Sequence, residues 1–414
     1  KMERKVVVTG LGVITPIGKN VEEFWKGIKE NKCGIAPITE FDTEKFKVKL
    51  AGEVKNYNPE EYFDKRSCKR LDKFSQFAII ASREAIKDSG ITPENTDMNR
   101  VGVVISSGIG GLSTIERENE HYIEKGPDRV SPMYIPMSIC NMAAGNVAIE
   151  LGTKGESISV VTACAGGTHS IGEAYRMIKN GYEDAILAGG TEASITPTGI
   201  AGFTNIKALT QSTDVNRASI PFDKERSGFV MGEGAGIIVL EELEHAKARN
   251  AKIYAEIVGY GATSDAYHIT SPAPDGEGAA RAMKRALEEN NIKPEDITYI
   301  NAHGTSTHLN DAGETSAIKL AFGEASKKVM VSSTKGNTGH CLGAAGGIEG
   351  VLCVKALEDN FIPATINYQN FDEECDLDIV ANHGRKQVLN YVMSNSLGFG
   401  GHNASIIFKK YGEE

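Results

Sequence analysis

Short apolar runs rich in Val, Ile and Ala alternate with segments of helical periodicity along the first half of the chain. Glycine or polar residues follow each run, as is typical of buried strands in an α/β sheet. The runs that predict strands are Val6 to Val8, Val101 to Ser106, Ile158 to Thr162 and Ala185 to Ala188. The pattern therefore predicts an α/β protein whose strands are largely buried.

A long segment between the first two predicted strands, Leu71 to Ser89, has its apolar residues at helical spacing. Gly90 follows it and provides a typical helix end. The residues that would share one face are Leu71, Phe74, Phe77, Ala78, Ala81 and Ala85. We expect a helix that packs this face against the core.

The second half of the chain repeats this order of elements. Strands are predicted at residues 253–258, 297–301 and 329–332, an extended segment at 395–408, and helices at 279–289 and up to residue 360. Each half also places a small-residue turn before a long helix, TACAGG at 162–167 and STKGNTGHCLGAAGG at 333–347. The order favours an internal duplication into residues 1–251 and 252–414, with the charged segment 241–251 as the seam.

Composition narrows the class of protein. The formal net charge of −10 argues against a general nucleic-acid binder. Seven cysteines show neither a CxxC pair nor a paired disulfide framework, which favours a reducing, cytoplasmic location. No apolar run approaches the roughly 18 to 20 residues that span a bilayer, so we expect no membrane insertion.

The 45 glycines do not form a convincing nucleotide site. GIGG at 108–111 lacks the third glycine of GxGxxG, and GEGAG at 232–236 precedes a strand instead of opening a helix. Close backbone packing and tight turns explain both motifs better.

Cys164 is the first candidate catalytic residue. It follows the apolar run ISVVT and begins an amphipathic stretch that continues to Gly181. A thiol at a helix N-terminus should be favoured as the thiolate, and small neighbours would let backbone amides form part of an oxyanion hole. Taken alone, Cys164 would more readily be interpreted as a buried structural cysteine, because free Cys is among the most buried residue types.

Two histidines follow predicted strands on separate loops. His303 lies in NAHGTST (301–307), and SSTKGNTGH (332–340) contains Lys335 and His340. Ligands of α/β sheets gather at such strand ends. A lone histidine is commonly only a polar residue with its hydrogen bonds satisfied, but two in this arrangement favour catalysis. No metal site is predicted, because no HxxxH or carboxylate companion lies at ligand spacing.

A fourth motif, NSLGFGGHN at 395–403, places glycines around Phe399. It could be only a tight hairpin, or it could supply a second oxyanion amide and a movable aromatic gate. Together the four motifs resemble the β-ketoacyl-acyl-carrier-protein synthases of the thiolase fold. The resemblance implies two pseudo-duplicated halves in a five-layer α-β-α-β-α arrangement, the first carrying the cysteine and the second the two histidines.

Within that family the two histidines are typical of the decarboxylating elongation class, and the chain is most similar to its synthase II members. Synthase I and polyketide ketosynthases share the same Cys-His-His set. The resemblance implies that Cys164 holds the acyl chain while a malonyl thioester is decarboxylated and condensed with it. The substrates arrive on acyl carrier protein, whose 4'-phosphopantetheine arm belongs to the substrate, so no cofactor of the enzyme's own is implied.

The same resemblance assigns roles to single residues. The backbone amides of Cys164 and Phe399 would form the oxyanion hole, His303 and His340 would bind the malonyl thioester carbonyl, and Lys335 would orient His303. The hydroxyls of Thr305 and Thr307 would bind the pantetheine arm. Ile109, Phe203 and Phe399 would line or gate the acyl tunnel.

His308 and Asn310 depart from the proline and glycine common in the family, which affects the expected loop shape.

A local basic segment, DKRSCKRLDK at 64–73, interrupts the acidic balance. It could be merely a solvated helix face. Acyl carrier protein is strongly acidic, so Lys65, Lys69 and Arg70, with Lys207, are predicted to dock it. The resemblance also implies a homodimer whose interface lies near the strand before Cys164.

Two other functions remain to be weighed. A non-catalytic partner subunit could bind carrier protein and set chain length, although Cys164, His303 and His340 are all retained here. A cysteine hydrolase could release the acyl group to water, but it would need neither the second histidine nor Lys335.

Overall fold

The computed structural model describes residues 3–412, which form an α/β protein of many strands and α-helices. The strands are β1 (Val6–Ile14), β2 (Ala36–Pro37), β3 (Leu50–Ala51), β4 (Val101–Ser106), β5 (Ser157–Ile158), β6 (Ala185–Glu192), β7 (Gly234–Glu242), β8 (Ala255–Ser264), β9 (Ile297–Asn301), β10 (Met330–Ser332), β11 (Phe361–Ile362), β12 (Asp378–Ile379), β13 (Arg385–Lys386), β14 (Tyr391–Gly398) and β15 (His402–Lys410). The helices are α1 (Val21–Lys29), α2 (Lys65–Arg70), α3 (Lys73–Ser89), α4 (Leu112–Lys125), α5 (Tyr134–Ser138), α6 (Met142–Leu151), α7 (Gly166–Lys179), α8 (Pro197–Asn205), α9 (Leu243–Ala248), α10 (Glu277–Glu288), α11 (His308–Phe322), α12 (Lys335–Thr338) and α13 (Ala345–Asp359).

The main strands form two sheets with the same order of connections. The first runs β1-β7-β6-β4-β5 and the second β8-β15-β14-β9-β10, with β12 added at its far edge. In each sheet the strand that comes first along the chain pairs antiparallel with the strand that comes last, β1 with β7 and β8 with β15. The inner strands β4 and β9 pair parallel with both of their neighbours. The two sheets are joined where Val6–Val8 of β1 pair with Ala255–Ile257 of β8.

Helices cover both faces of each sheet. α7 and α13 pack against each other and against strands of both sheets, so they form the central layer. α3 and α6 cover the outer face of the first sheet, and α10 and α11 cover that of the second. The result is an α-β-α-β-α arrangement of five layers, which confirms the predicted thiolase-like fold.

The sequence of α13 explains its central position. Its residues are apolar or small on nearly every side, and a helix that is apolar all round belongs in a protein interior. Gly347 also lets the helix approach the first sheet closely, since a Cβ there would lie 2.2 Å from the carbonyl oxygen of Gly236. No helix within residues 3–412 has the length and apolar character needed to cross a membrane.

Several predicted elements have the observed bounds, and others differ. β4 and β9 coincide with the predicted runs, and α3 begins two residues later than predicted because Asp72 caps it. The strand predicted at residues 158–162 is wrong beyond Ile158: β5 lies at the sheet edge, pairs only with β4 and ends before the turn at Ala163. The segment 395–408 folds as two antiparallel strands, β14 and β15, instead of one.

The predicted boundary at residue 251 falls between α9 and β8. The division into two domains at that residue stays a prediction.

Candidate active site

Cys164 lies on a sharp turn at the start of the central layer. The turn, Ala163–Ala165, is a single 3₁₀ turn that leads directly into α7. Ala163 has φ 53°, a left-handed conformation that costs a residue with a side chain about 1–2 kcal/mol. The turn leaves Cys164 half-buried and facing a cavity of about 350 Å³.

The cavity brings together most of the residues predicted from the sequence. Those on its wall are Cys164, Phe203, Lys207, His303, Thr305, Thr307, His340 and Phe399. Ile109 is not on this wall, but it packs in the same apolar cluster as Cys164 and Phe203. Lys335 is buried behind the two histidines.

The expectation that Cys164 would favour the thiolate is wrong for this environment. Burial raises the pKa of the Cys164 thiol to about 12, and the nearby carboxylate of Glu192 acts in the same direction. The positive charge of Lys335 opposes both effects without outweighing them. The cost of removing the thiolate from water dominates, so the thiol form of Cys164 is favoured at neutral pH.

The hairpin between β14 and β15 lies against the Cys164 turn. A Cβ at Gly398 would be 2.7 Å from the carbonyl oxygen of Thr162 and 3.3 Å from the amide nitrogen of Cys164, so glycine permits this approach. Phe399 follows at once, and its ring centroid is 6.1 Å from that of Phe203. The backbone of Phe399 is therefore next to that of Cys164, as an oxyanion hole shared by the two amides requires.

The two histidines form a pair beside the thiol. The ring centroids of His303 and His340 are 5.1 Å apart, and the rings are nearly perpendicular at 88°. The backbone of His340 is held on both sides, because its N–H donates to Val230 (2.7 Å) and its carbonyl accepts from Gly232 (2.8 Å). The ring of Phe229 packs edge-on against the His340 ring at 5.1 Å.

Burial keeps both imidazoles neutral. It lowers the pKa of His303 and of His340 well below 6.5, and the charge of Lys335 lowers them further. The Nδ1 atoms of both rings are buried and have no hydrogen-bond partner among residues 3–412. A neutral imidazole carries one N–H and can donate it to a substrate oxygen.

Lys335 contacts the backbone of His303, whereas the sequence suggested only that it orients this residue. Its Nζ donates to the carbonyl oxygen of His303 (2.6 Å) and to Oε1 of Glu349 (2.5 Å). The ammonium and the carboxylate are both buried, so each compensates the charge of the other. Lys335 thus binds the backbone of His303 and makes no hydrogen bond to its imidazole ring.

Three buried glutamates of the site were not predicted. Glu349 pairs with Lys335, and Glu314 accepts the backbone N–H groups of His303 and Gly304, both at 2.8 Å. Burial raises the pKa of Glu314 and the pKa of Glu192 to about 7 each. Oε2 of Glu192 accepts a hydrogen bond from the Ser107 hydroxyl at 2.5 Å. One signal was available for Glu349: it is a single charge within the apolar first half of α13.

The loop after His303 presents two hydroxyl groups. The side-chain oxygens of Thr305 and Thr307 are 2.9 Å apart, and both residues line the cavity. Between them Ser306 has φ 72°. His308, which departs from the family pattern, is the first residue of α11 and lines the cavity with Asn310.

The basic residues predicted to dock a carrier protein lie in two places. Lys65, Lys69 and Arg70 are exposed on α2, which Asp64 caps, and none of the three is on the wall of the cavity. Lys69 borders a separate polar pocket of about 490 Å³. Lys207 is exposed and lines the main cavity.

No group of three or more His, Cys, Asp or Glu side chains within residues 3–412 is arranged to hold a metal ion.

Family comparison agrees with this geometry. The model of the β-ketoacyl synthase N-terminal domain matches residues 3–246, and that of the β-ketoacyl synthase C-terminal domain matches residues 254–369. The chain belongs to the β-ketoacyl synthase family. The resemblance drawn from the four motifs is thereby confirmed.

Curated relatives of this synthase cover nearly its full length. The 3-oxoacyl-[acyl-carrier-protein] synthase 2 of Staphylococcus aureus strain N315 is 52% identical over 408 residues, 99% of both chains. The Synechocystis protein of the same name is 51% identical over 410 residues, again 99% of both chains.

Solved structures show the same fold. A β-ketoacyl synthase from Burkholderia phymatum STM815 aligns with a TM-score of 0.91 and 32% identity, covering 99% of this chain and 100% of that one. A type II polyketide ketosynthase, solved in complex with its acyl-carrier protein, aligns with a TM-score of 0.92 and 36% identity, covering 99% of this chain and 100% of that one.

Proposed function

We propose that Cys164, His303 and His340 carry out the condensing reaction of this synthase, with Lys335 positioning His303. The reaction joins an acyl group to malonyl carrier protein in fatty acid chain elongation and yields 3-oxoacyl carrier protein, carbon dioxide and free carrier protein. The observation that carries the residue assignment is the common cavity, in which one thiol faces two neutral imidazoles 5.1 Å apart.

The first half-reaction transfers the acyl group to Cys164. The thiol attacks the acyl thioester, a carbon–sulfur bond to Cys164 forms, and the pantetheine sulfur leaves. The proton of Cys164 ends on that sulfur, so the exchange needs no net proton, which suits a thiol whose pKa is raised to about 12. The amides of Cys164 and Phe399 stabilise the tetrahedral oxyanion.

The second half-reaction forms the carbon–carbon bond. His303 and His340 donate hydrogen bonds to the thioester carbonyl of malonyl carrier protein, which stabilises the enolate left when carbon dioxide departs. The enolate carbon attacks the acyl thioester on Cys164, and the cysteine leaves as a thiolate that takes a proton from solvent. Donation from neutral rings is consistent with the lowered pKa of both histidines.

The substrate arm and chain occupy the rest of the cavity. The hydroxyls of Thr305 and Thr307 bind the pantetheine arm, which arrives on the carrier protein, so the enzyme supplies no cofactor. Ile109 and Phe203 belong to the apolar cluster around Cys164 and receive the acyl chain, with Phe399 as its gate.

Acidic carrier protein is the proposed macromolecular substrate, and Lys65, Lys69, Arg70 and Lys207 form its docking surface. The polyketide ketosynthase solved with its acyl-carrier protein supports such a partner. Charge reversal at Lys65 and Lys69 should raise the KM for the carrier substrate at low salt, because long-range attraction is lost. Reversal of Lys328, an exposed lysine of the second half, is the control and should leave that KM unchanged; equal effects would refute the docking surface.

Two copies of the chain associate across β5 in this proposal. β5 is the last strand of the first sheet, and Ile149 and Val161 near it are 78% and 51% exposed. Exposed apolar side chains beside an open strand edge favour association. A dimer mass by light scattering, reduced to a monomer mass in Val161→Asp, would support this interface, and a monomer in the unchanged protein would overturn it.

All seven cysteines are free, which supports the proposal that the enzyme works in the reducing cytoplasm.

A Cys164→Gln variant separates the two half-reactions. It should form no 3-oxoacyl product, yet it should still release carbon dioxide from malonyl carrier protein because both histidines remain. Adding His303→Ala should lower that release about a hundredfold, the effect of losing one oxyanion donor. Condensation by the Cys164→Gln variant would overturn the assignment of the nucleophile.

A further inference from the structure

The loop that carries Thr305 and Thr307 is held from behind by Arg226. The guanidinium is fully buried, with 0% of the side chain exposed. Its Nε donates to the carbonyl oxygen of Thr307 (3.1 Å), and Nη2 donates to that of His308 (2.9 Å). Arg226 therefore fixes the two peptide units at the end of the threonine loop.

The same guanidinium also has acidic partners outside residues 305–308. Its Nη1 donates to the carbonyl oxygen of Asp223 (3.0 Å) and to the carboxylate of Asp372 (2.5 Å). The carboxylate of Asp311 lies 3.5 Å from Nε. Arginine suits this position because its planar fork makes several bonds in a fixed geometry, which an ammonium group cannot reproduce.

Ser306 provides a second set of bonds between the same segments. Its hydroxyl accepts the N–H of Ile220 (2.9 Å), and its carbonyl accepts the N–H of Gly228 (3.0 Å). The φ of 72° at Ser306 is a strained conformation that persists only where the surroundings enforce it. The chain around Arg226 thus determines the backbone between the two threonines.

We infer that Arg226 is a positioning residue for the pantetheine arm: it holds the Thr305–Thr307 hydroxyl pair in the geometry that binds the arm, without touching the substrate itself. The inference rests on the proposed role of the two threonines. Arg226 lies behind the loop, since it is absent from the cavity wall while its neighbours Ser227, Gly228 and Phe229 are on it. It should therefore affect substrates that possess the arm and spare those that lack it.

Two small thioesters of one fatty acid isolate this effect from carrier docking. One is the pantetheine ester and the other the ethanethiol ester, which has no arm. The readout is the rate of Cys164 acylation, followed by mass spectrometry. Arg226→Lys keeps the buried positive charge but loses the fork, and it should slow acylation by the pantetheine ester about tenfold, the scale of one or two hydrogen bonds. Acylation by the ethanethiol ester should change less than about twofold.

Arg217→Lys is the matched control. Arg217 lies in the same segment and binds Asp223 (3.0 Å) and the carbonyl oxygen of Asn367 (2.6 Å), but it makes no hydrogen bond to residues 305–308. Its replacement should leave the ratio of the two rates unchanged. Asp372→Asn weakens the bond to Nη1 and should lower the rate with the pantetheine ester, relative to that with the ethanethiol ester, about threefold. This variant keeps the inference testable if Arg226→Lys does not fold.

A Thr305→Val, Thr307→Val double variant distinguishes the two possible failures. It should lose the preference for the pantetheine ester. Adding Arg226→Lys to the double variant should change this preference little further, because both changes act on one contact. If the threonine variant keeps the preference, the proposed role of the threonines fails. If it loses the preference but Arg226→Lys slows both esters equally or neither, the inference about Arg226 alone is overturned.

Discussion

Two short 3₁₀ turns, one in each half of the chain, each lead into a helix of the central layer and can be compared directly. The turn Ala163–Ala165 leads into α7, and the turn Leu342–Ala344 leads into α13. Both begin with a left-handed residue that is not glycine, Ala163 at φ 53° and Leu342 at φ 50°. Both helices belong to the central layer, so the duplicated order of elements supplies two similar turns.

The middle residue of each turn differs. Cys164 is half-buried and faces the cavity, whereas Gly343 is buried against the first half of the chain. A Cβ at Gly343 would lie only 2.4 Å from the amide nitrogen of Gly108. The fold therefore leaves room for a nucleophile at one turn only, and the segment before the other turn contributes His340.

Cys164→Gly gives the first turn the middle residue of the second and should have the largest effect. Condensation should fall at least about a thousandfold, since the covalent step loses its nucleophile. The thermal midpoint should move by no more than a few degrees, because Cys164 is only half-buried. Product formation and a thermal melt check both statements; activity within tenfold of the unchanged enzyme would contradict them.

Gly343→Ala tests the packing of the second turn. The added methyl group meets backbone, which cannot move aside as a side chain could, so the free energy of unfolding should fall by about 1–3 kcal/mol. Urea denaturation measures it. Cys164→Ala is the control at the corresponding position and should cost less than about 1 kcal/mol; equal costs would mean that the two turns are packed alike.

Glu192 lies between the two turns and offers a pH-dependent test. Its carboxylate raises the pKa of Cys164, and its own pKa is raised to about 7, so the effect grows as the pH rises through 7. Glu192→Gln removes the charge, lowers the pKa of the thiol and increases the thiolate fraction. Alkylation of Cys164 by iodoacetamide at pH 8 should become roughly three- to tenfold faster.

The difference in alkylation should disappear at pH 5.5, where Glu192 is already protonated. Glu183→Gln is the control, because Glu183 is also buried with a raised pKa but does not act on Cys164. A slower or unchanged rate in Glu192→Gln at pH 8 would show that this carboxylate does not control the thiol.

Ala163→Gly should have the smallest effect. Glycine adopts φ 53° without a steric penalty, and the gain is partly offset by the greater freedom of the unfolded chain. The free energy of unfolding should rise by up to about 1 kcal/mol, with activity within about threefold. A large loss of activity would mean that the methyl group of Ala163 itself shapes the thiol turn.

Sequence patterns predicted the features that are set by residues close together along the chain, such as strand bounds and the loops that follow strands. β4 and β9 lie between layers, so their apolar runs end where the strands end. His303 and His340 follow the neighbouring parallel strands β9 and β10, and parallel strands gather such loops at one edge, which is why these two motifs meet in one cavity.

Properties that depend on distant partners could not be predicted. The raised pKa of Cys164 results from burial and from Glu192, which is 28 positions further along the chain. Lys335 bonds both to the His303 carbonyl, 32 positions away along the chain, and to Glu349 of α13. Residues 159–162 favour a strand because three of the four are β-branched, but β5 has no second neighbour within the described residues to extend its pairing.

The central claim, that Cys164 holds the acyl chain while the two histidines generate the attacking carbanion, can be tested in one measurement. The enzyme is incubated with acyl carrier protein and then with malonyl carrier protein, and its peptides are mapped by mass spectrometry after each addition. We expect an acyl adduct on the Cys164 peptide that persists until malonyl carrier protein is added and then clears as 3-oxoacyl carrier protein. Release of the adduct as free fatty acid, or an adduct on another residue, would contradict the account.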